Sequence, residues 1–332
     1  MNYVGIDLHS NNNYMVITNQ QGRRLLEKRL PNDVGVILEW LRRYDPIESV
    51  ALESTYNYYW LADGLLDGGH RVKLANPLAM KPYAGLKHQD DRSDAGFIAE
   101  LLRLGILPTG HLYARKQRGL RDLLRQRSRW VRQKRQIVQS VQSRFARCLG
   151  LNLSGSQLLH TSLPRIGDED QDLAVYSQVQ MIASLSEQIR LLEERVEDRL
   201  QHTKVFAALT AIPGIALVLG STICLESGDL SRFTRVGDYA SYARVVHADK
   251  ITNNKRKGKG NRRCGNAYLG WAYHEAAHCM NRCHPLMQQY RRRQVAHKHP
   301  RVVWSTMAHK VCRGFYFVMR DGVEFSPARL FG

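Results

Sequence analysis

Apolar runs and helical periods alternate through the first third of the chain. The segments YVGID, NYMVITN and RRLLEKRL predict three strands, with QQG as the turn before the third. A helix, the strand SVALEST, a second helix, the strand RVKLANP and the helix DDRSDAGFIAELL are predicted to follow. Three antiparallel strands followed by the order αβαβα are typical of a ribonuclease-H-like fold. We therefore expect an α/β domain of that type over residues 1–110.

Helical periodicity dominates the rest of the chain. Two long amphipathic helices are predicted at 112–148 and 171–202, forming an antiparallel hairpin or a coiled-coil-like connector over residues 111–203. Residues 204–332 predict a mainly helical third domain. The uncharged stretch 205–225 is long enough to span a bilayer, but Pro213 and Gly214 in its middle would break a spanning helix. We expect two short buried helices there and no membrane partner.

The charge balance indicates what kind of partner the protein binds. The 332 residues carry a formal charge of +19, and 43% of them are hydrophobic, which indicates a folded protein that binds a polyanion. Nucleic acid is the expected polyanion, and an anionic membrane surface is the alternative. Six scattered cysteines do not predict a disulfide framework, and no signal peptide is visible. We expect a cytoplasmic, nucleoid-associated protein.

Two basic segments are the candidate nucleic-acid contacts. The first is the outer face of the helix at 112–148, and the second is the loop HADKITNNKRKGKGNRRCGN, which has no apolar period. The alternatives are a solvated helix pair and a disordered tail. The candidate residues are Arg115, Lys116, Arg118, Arg121, Arg125, Arg129 and Arg132 in the helix, and Lys250, Lys255, Arg256, Lys257, Lys259, Arg262 and Arg263 in the loop.

Four acidic residues are the candidate catalytic and metal-binding set. Asp7 and Glu53 lie at or near the carboxyl ends of apolar strands, where an unpaired buried charge would be costly. Asp91 and Asp94 are spaced i,i+3 and share one helix face. Asp90 is an alternative to Asp91, but it would start the helix. Converging carboxylates repel one another unless a divalent metal lies between them, so the set predicts metal-assisted chemistry on a phosphodiester.

Two further motifs carry weaker signals. Thr252 is a hydroxyl inside the most cationic loop, and a hydroxyl there can attack a phosphodiester and become covalently linked to DNA. His274, Glu275 and His278 match the zinc motif H-E-x-x-H. A chance match is plausible among 13 histidines, and we expect a helix packed by Trp271, Tyr273 and Met280 instead.

Taken together, the motifs GID, LEST and DDRSDA, with IPGI, GDLSRF, YASYARVV, KITNNKRKGKGN and GNAYLGWA, resemble those of DEDD-type transposases. The chain resembles insertion-sequence family 110, particularly its subgroup 1111, and the related Piv-type DNA invertases. The likeness runs over nearly the whole chain. It implies a RuvC-like domain that carries Asp7, Glu53, Asp91 and Asp94 on Mg²⁺, with Mn²⁺ as an alternative. It also implies a C-terminal transposase domain.

The resemblance further implies recombination rather than simple cutting. In this family a serine of the C-terminal loop is the nucleophile, and Thr252 occupies the serine's position in KITN. The added methyl crowds the attack. The implied partners are the DNA of element ends and target, a structured guide RNA, and further copies in a dimer or tetramer. A RuvC-like structure-specific nuclease that uses metal-activated water is the main alternative. A non-catalytic nucleic-acid-binding protein is another.

Overall fold

The computed structural model describes residues 1–80, 83, 91–160, 162–246, 249–252, 255–259 and 264–332. Within helices and strands, the side chains of residues 91, 92, 159, 160, 249–251, 256, 258 and 259 are outside this description. The chain forms two units, Met1–Arg115 and Lys116–Gly332. The predicted domain boundary at residue 110 lies close to the division between them. The second predicted boundary, at residue 203, stays a prediction.

The N-terminal unit is built on a sheet whose described strands number six. They are ordered β3-β2-β1-β4-β5-β6. β1 runs antiparallel to β2 and parallel to β4. The short last strand was not predicted from the sequence and pairs antiparallel with β5. The strands are β1 Asn2–Leu8, β2 Asn12–Asn19, β3 Arg24–Pro31, β4 Ile47–Glu53, β5 Val72–Ala75 and β6 Thr109–Gly110.

Helices cover both faces of this sheet. They are α1 Val34–Arg42, α2 Tyr59–Asp67, α3 Pro77–Met80 and α4 Asp91–Arg103. Even-numbered β1 residues such as Val4 and Ile6 are buried with residues of α1 and α2. Ala51 of β4 is buried with Ile98 and Leu101 of α4 on the opposite face. This mixed α/β unit is compatible with the predicted ribonuclease-H-like fold.

The described elements of the second unit are mostly helices. α5 begins at Arg115, the last residue of the first unit, and continues to Leu149. The other helices are α6 Gln157–His160, α7 Glu169–Leu200, α8 Lys204–Thr210, α9 Leu217–Ser227, α10 Val236–Tyr242, α11 Ala267–Cys283, α12 Pro285–Val295, α13 Pro300–Asp321 and α14 Pro327–Phe331. A 3-10 turn spans Leu230–Arg232, and two strands, β7 Asp249–Thr252 and β8 Lys255–Lys259, form a separate hairpin.

The two long helices α5 and α7 pack as an antiparallel pair. Near one end of the pair, Phe145 and Val141 of α5 share a cluster with Val175 and Ile182 of α7. Near the other end, Leu124 shares a cluster with Val196 and Leu200. Early residues of α5 therefore meet late residues of α7, as the hairpin prediction requires. Coiled-coil geometry stays a prediction.

The helices after α7 enclose the largest buried core. Tyr239, Tyr273, Phe315 and Tyr316 are fully buried in it. The predicted pair of short helices around Pro213 is present as α8 and α9. Throughout the described ranges, we find no helix that combines the length and apolar composition needed to cross a bilayer.

Candidate functional site

The register between β1 and β4 brings two of the predicted carboxylates to one edge of the sheet. Ile6 pairs with Leu52 in the parallel ladder, so Asp7 and Glu53 occupy the next matched position. Residues matched in register lie on the same face, because side chains alternate along every strand. Neighbouring strands are about 4.8 Å apart, which is close enough for both carboxylates to act on one ligand. Asp7 is 4% exposed, so its carboxylate lies inside the protein.

A glycine fixes the distance between α4 and this edge. A Cβ on Gly5 would lie 2.1 Å from the carbonyl oxygen of Ala95 and 2.5 Å from the amide nitrogen of Ala99. Only glycine allows a helix backbone to lie so close to a strand. Gly5 and Asp7 are two residues apart and share a face. α4 therefore covers the face of the sheet that carries Asp7.

Contacts at the other end of α4 determine its direction. Arg103, the last residue of the helix, donates from Nη1 to the carbonyl oxygen of Gln20 at 3.1 Å. Gln20 follows Asn19, which pairs with Asn2 at the start of β1. The C-terminal turn of α4 therefore lies beside the start of β1. Its N-terminal turn, which contains Asp94, lies toward the end of β1 that carries Asp7.

The other acidic candidates lie partly outside the described residues. Asp91 is the first residue of α4, one turn before Asp94, but its side chain is not among those described. Asp90 lies outside the described residues altogether. Among the side chains that are described, no group of three or more histidine, cysteine, aspartate or glutamate residues is arranged to hold a metal ion. The strand register and the direction of α4 put Asp7, Glu53 and Asp94 toward one end of one face. The three described side chains do not form a metal-binding group, so the metal site remains a proposal.

A histidine that the sequence reasoning missed adjoins Asp7. His9 Nε2 lies 3.2 Å from Asp7 Oδ2, and this contact is an ion pair only when the imidazole is protonated. Two asparagines hold the backbone at this point. The Nδ2 atoms of Asn32 and Asn57 both donate to the carbonyl oxygen of His9 at 3.0 Å. The signal in the sequence was only that His9 follows Asp7 by two residues.

The basic segment around Thr252 forms a β-hairpin, where the sequence predicted an irregular loop. Thr252 is exposed and pairs with Lys255, across a connection of two residues that lie outside the described ranges. Lys257 is also exposed. The prediction failed because neither strand has an apolar face, so the cross-strand pairing gives no period-2 signal. Lys250, Arg256 and Lys259 lie in these strands but their side chains are outside the description, as are Arg262 and Arg263 entirely.

Two hydrogen bonds to backbone carbonyls link the segments that precede and follow this hairpin in the chain. Arg244 Nε donates to the carbonyl oxygen of Cys264 at 2.8 Å, and the amide nitrogen of Asn266 donates to the carbonyl oxygen of Tyr242 at 2.6 Å. Arg244 has φ +57°, a left-handed conformation that costs free energy for a residue with a side chain. These two hydrogen bonds hold the end of α10 beside the start of α11.

The outer-face prediction for α5 is wrong for two arginines. Arg118 is 4% exposed and Arg121 is 8% exposed. Arg121 Nε lies 2.9 Å from Glu226 Oε2, and Arg125 contacts the same carboxylate through Nε at 2.6 Å and Nη2 at 2.8 Å. Glu226 comes about a hundred residues later, so no local pattern could reveal its arginine partners. Arg121 and Arg125 are committed to Glu226 within the fold. We propose no nucleic-acid contact for them or for the buried Arg118.

The buried carboxylate of Glu226 also supports the hairpin. Asn266 Nδ2 donates to Glu226 Oε2 at 2.7 Å, while the Asn266 side-chain oxygen accepts from the amide of Tyr268 at 2.9 Å and caps α11. Burial opposes ionisation of Glu226. The hydrogen bond from Arg125 and the charges of Arg121 and Arg125 outweigh burial and hold the pKa of Glu226 below its ordinary value.

Comparison with known proteins supplies the family. A family model described as a transposase, DEDD_Tnp_IS110, matches residues 4–147, and a second, described as "Transposase IS116/IS110/IS902 family", matches residues 207–292. The chain belongs to the IS110 family of DEDD transposases. It is 23% identical to the transposase for insertion sequence element IS1328 of Yersinia enterocolitica, over 97% of this chain and 98% of the relative.

Two other relatives have similar names. A probable family 20 transposase of Pseudomonas aeruginosa is 22% identical over 79% of this chain and 85% of its own length. A putative transposase, y4pF/y4sB, of Sinorhizobium fredii is 24% identical over 85% of this chain and 76% of its own length. The first family model covers Asp7, Glu53 and Asp94, and the second covers the Thr252 hairpin.

In this transposase the H-E-x-x-H motif has structural contacts. It lies on α11, where His274 Nδ1 is 2.8 Å from the carbonyl oxygen of Gly270. The ring of His278 lies 3.7 Å from that of Trp304 between centroids, and burial lowers the pKa of His278. Tyr273 and Met280 are buried as expected. Trp271 is not part of that core, because it is 43% exposed.

Proposed function

We propose that this transposase cuts and joins DNA strands by transesterification at a site that combines the carboxylate edge with the Thr252 hairpin. The observation that carries the proposal is the placement of Asp7 and Glu53 at matched positions on β1 and β4, with the N-terminal turn of α4 toward the same end.

The chemical type of the candidate ligands suits a hard divalent cation. Asp7, Glu53 and Asp94 offer carboxylate oxygens, the ligand type that Mg²⁺ prefers, and Mn²⁺ accepts the same ligands. Asp91 would complete the set from the turn before Asp94. A cation held there would polarise the scissile phosphate and stabilise the charge on the leaving oxygen. His9 would hold the Asp7 carboxylate in orientation, since its Nε2 contacts Oδ2.

Thr252 supplies the nucleophile in this proposal. Its hydroxyl oxygen gives up its proton and bonds to phosphorus, the bond from phosphorus to one deoxyribose oxygen breaks, and the released oxygen takes up a proton. The Thr–O–P linkage conserves the energy of the phosphodiester for rejoining, so no nucleotide cofactor is required. Lys255 and Lys257 are exposed on the same hairpin and would offset the negative charge of the phosphate. Lys250, Arg256 and Lys259 belong to the same strands, and Arg262 and Arg263 follow them.

The partners in this proposal are DNA, a structured guide RNA and further copies of the chain. The exposed cations Lys116, Arg129 and Arg132 on α5 are suited to phosphates of either nucleic acid. The guide RNA rests on the family resemblance. Strand exchange needs at least two nucleophiles, so the working form would be a dimer or a tetramer.

Trapping of the covalent adduct tests the reaction. Purified protein would be incubated with labelled DNA carrying the ends of its own element, the adjoining non-coding transcript, and Mg²⁺ or a chelator. We expect a labelled protein–DNA adduct that survives denaturing electrophoresis. This adduct should be absent with the chelator and absent in Thr252→Ala. Thr252→Ser should keep the adduct, and Asp7→Asn should lose both adduct and cleavage.

The same experiment separates the alternatives. Cleaved DNA without an adduct, unchanged by Thr252→Ala, would indicate a nuclease that uses metal-activated water and would overturn the role of Thr252. Unchanged cleavage in Asp7→Asn would overturn the metal site.

A further inference from the structure

A groove between α5 and α11 combines exposed arginines with an exposed tryptophan. Its volume is about 490 Å³, and its eight lining residues include Val131, Arg132 and Arg135 of α5 with Tyr268 and Trp271 of α11. We call it the arginine–tryptophan groove. Arg132 is already among the cations suited to nucleic-acid phosphates, but the aromatic side of the groove has no role in the proposed reaction.

The aromatic side of the groove is rigidly supported. The Arg125 guanidinium lies 4.6 Å from the centre of the Tyr268 ring, and that guanidinium is itself fixed by Glu226. Tyr268 follows the Asn266 cap within the first turn of α11. Trp271 lies one turn further, 43% exposed, so its indole is available to a ligand. An exposed tryptophan on a fixed helix loses little conformational entropy when it stacks on a ligand.

The basic side of the groove is available for an anion. Arg132 and Arg135 are exposed and stand i,i+3 on one face of α5. Among the described residues, neither forms an ion pair with a carboxylate, in contrast to Arg127, which pairs with Glu193 at 2.7 Å. Two cations beside a flat aromatic surface are suited to a phosphate attached to a planar base.

We infer that the arginine–tryptophan groove binds an unpaired nucleotide of the DNA strand that is being cut. The base would stack on Trp271, and its phosphates would contact Arg132 and Arg135. A paired base is stacked inside the duplex and cannot reach the indole, so the strand must be single-stranded or have its base flipped out at this point. The volume lies within the range of about 300–1,000 Å³ typical of small-ligand pockets, which suits one nucleotide rather than a duplex.

The position of the groove along the chain favours DNA over RNA. Asn266 both anchors the base of the Thr252 hairpin and caps α11, the helix that carries Tyr268 and Trp271. The groove is therefore carried by the helix that follows the attacking segment in the chain. The choice of DNA rests on the proposed function, in which the strand beside Thr252 is the scissile one.

Equilibrium binding tests the inference independently of catalysis. Fluorescence anisotropy would follow labelled single-stranded DNA, the same sequence as a duplex, and the same sequence as single-stranded RNA, each with the full chain and without divalent metal. Trp271→Ala should weaken single-stranded DNA binding by about 5- to 150-fold, the affinity equivalent of one stacked base. Trp271→Phe should retain most of the affinity, and duplex binding should change less than twofold.

Matched controls separate stacking from general damage. Tyr176→Ala removes another exposed aromatic residue, on α7 of the same unit, and should leave single-stranded DNA binding unchanged. Arg132→Gln combined with Arg135→Gln should weaken binding to single-stranded DNA more than to the duplex. Circular dichroism would check that every variant is folded.

Two outcomes would overturn the inference. One is unchanged single-stranded DNA affinity in folded Trp271→Ala, and the other is a loss confined to RNA, which would make RNA the occupant. A different result would separate the two proposals. If Trp271→Ala loses DNA binding but the wild-type protein forms no covalent adduct, the proposed reaction is refuted and the binding of DNA in the groove is retained.

Discussion

Replacing Gly5 with alanine tests whether the position of α4 controls the carboxylate edge. The added methyl would lie 2.1 Å from the carbonyl oxygen of Ala95 and 2.5 Å from the amide nitrogen of Ala99. Both are backbone atoms of a helix, so no side-chain rotation can relieve the clash. Because a close-packed interior has no spare volume, the new methyl can reach a normal van der Waals distance only if α4 moves away from β1 by roughly 1 Å. Asp94, next to Ala95, would move with it.

The expected cost in stability is modest and the cost in activity is large. Overpacking of this kind lowers the free energy of unfolding by about 1–3 kcal/mol, which should leave the unit folded. A displacement of about 1 Å at a reacting centre can reduce a rate by on the order of 100-fold. We therefore expect Gly5→Ala to remain folded and to form the covalent DNA adduct about 100 times more slowly in single-turnover assays at saturating Mg²⁺.

A matched glycine in the same sheet provides the control. A Cβ on Gly110 would lie 3.7 Å from Leu74 Cδ2, an ordinary contact, so Gly110→Ala should react at nearly the wild-type rate. Urea denaturation followed by circular dichroism would report stability for both variants. Wild-type kinetics in a folded Gly5→Ala variant would show that the α4–β1 distance is irrelevant to the reaction, and the reasoning about the edge would be refuted.

Three further predictions concern the second unit. Glu226→Gln should lower the free energy of unfolding by about 3–5 kcal/mol in urea denaturation, because the buried Arg121 and the half-buried Arg125 lose their counter-charge. Glu187→Gln, at an exposed pair, should leave the free energy of unfolding nearly unchanged, and equal losses in the two variants would contradict the buried network. Because folding lowers the pKa of Glu226, the stabilisation that its charge provides should be complete above the unfolded value of 4.5. It should be lost as the pH falls from there through the lower pKa of the folded state, which acid titration of wild type against Glu226→Gln would reveal. Gly214→Ala should lower the melting temperature, because Gly214 has φ +93° and the added Cβ would lie 2.8 Å from Met280 Cα. As the control, Gly237→Ala should leave the melting temperature unchanged, because its added Cβ would meet nothing within 4 Å.

The sequence predicted the N-terminal unit well because its signals are local. Apolar runs such as those around Val4 and Val50 reflect strands buried by helices on both faces, and turn residues separate them. The carboxylates Asp7 and Glu53 were identifiable because each interrupts such a run. β6 was missed because a strand of two residues is too short to show an alternation of apolar and polar positions. It exists through its pairing with β5.

Long-range partners explain what the sequence did not predict. The cations of α5 formed a clear pattern, but burial of Arg121 depends on Glu226, which is far away in the chain. The strands of the hairpin that carries Thr252 are joined by backbone pairing, which leaves no trace in hydrophobicity. Trp271 was assigned to the core because an aromatic residue on an amphipathic helix is usually buried, and here the groove leaves it exposed.

The ion pairs of α5 also limit how strongly this helix can respond to ionic strength. Ten cations lie between residues 115 and 135. Arg115, Arg121, Arg125 and Arg127 already contact carboxylates, and Arg118 is buried. Only the remaining five can displace counterions from a nucleic acid. At about −0.9 per neutralised phosphate, the helix would contribute a slope of about −4.5 to a plot of log affinity against log salt concentration, rather than about −9.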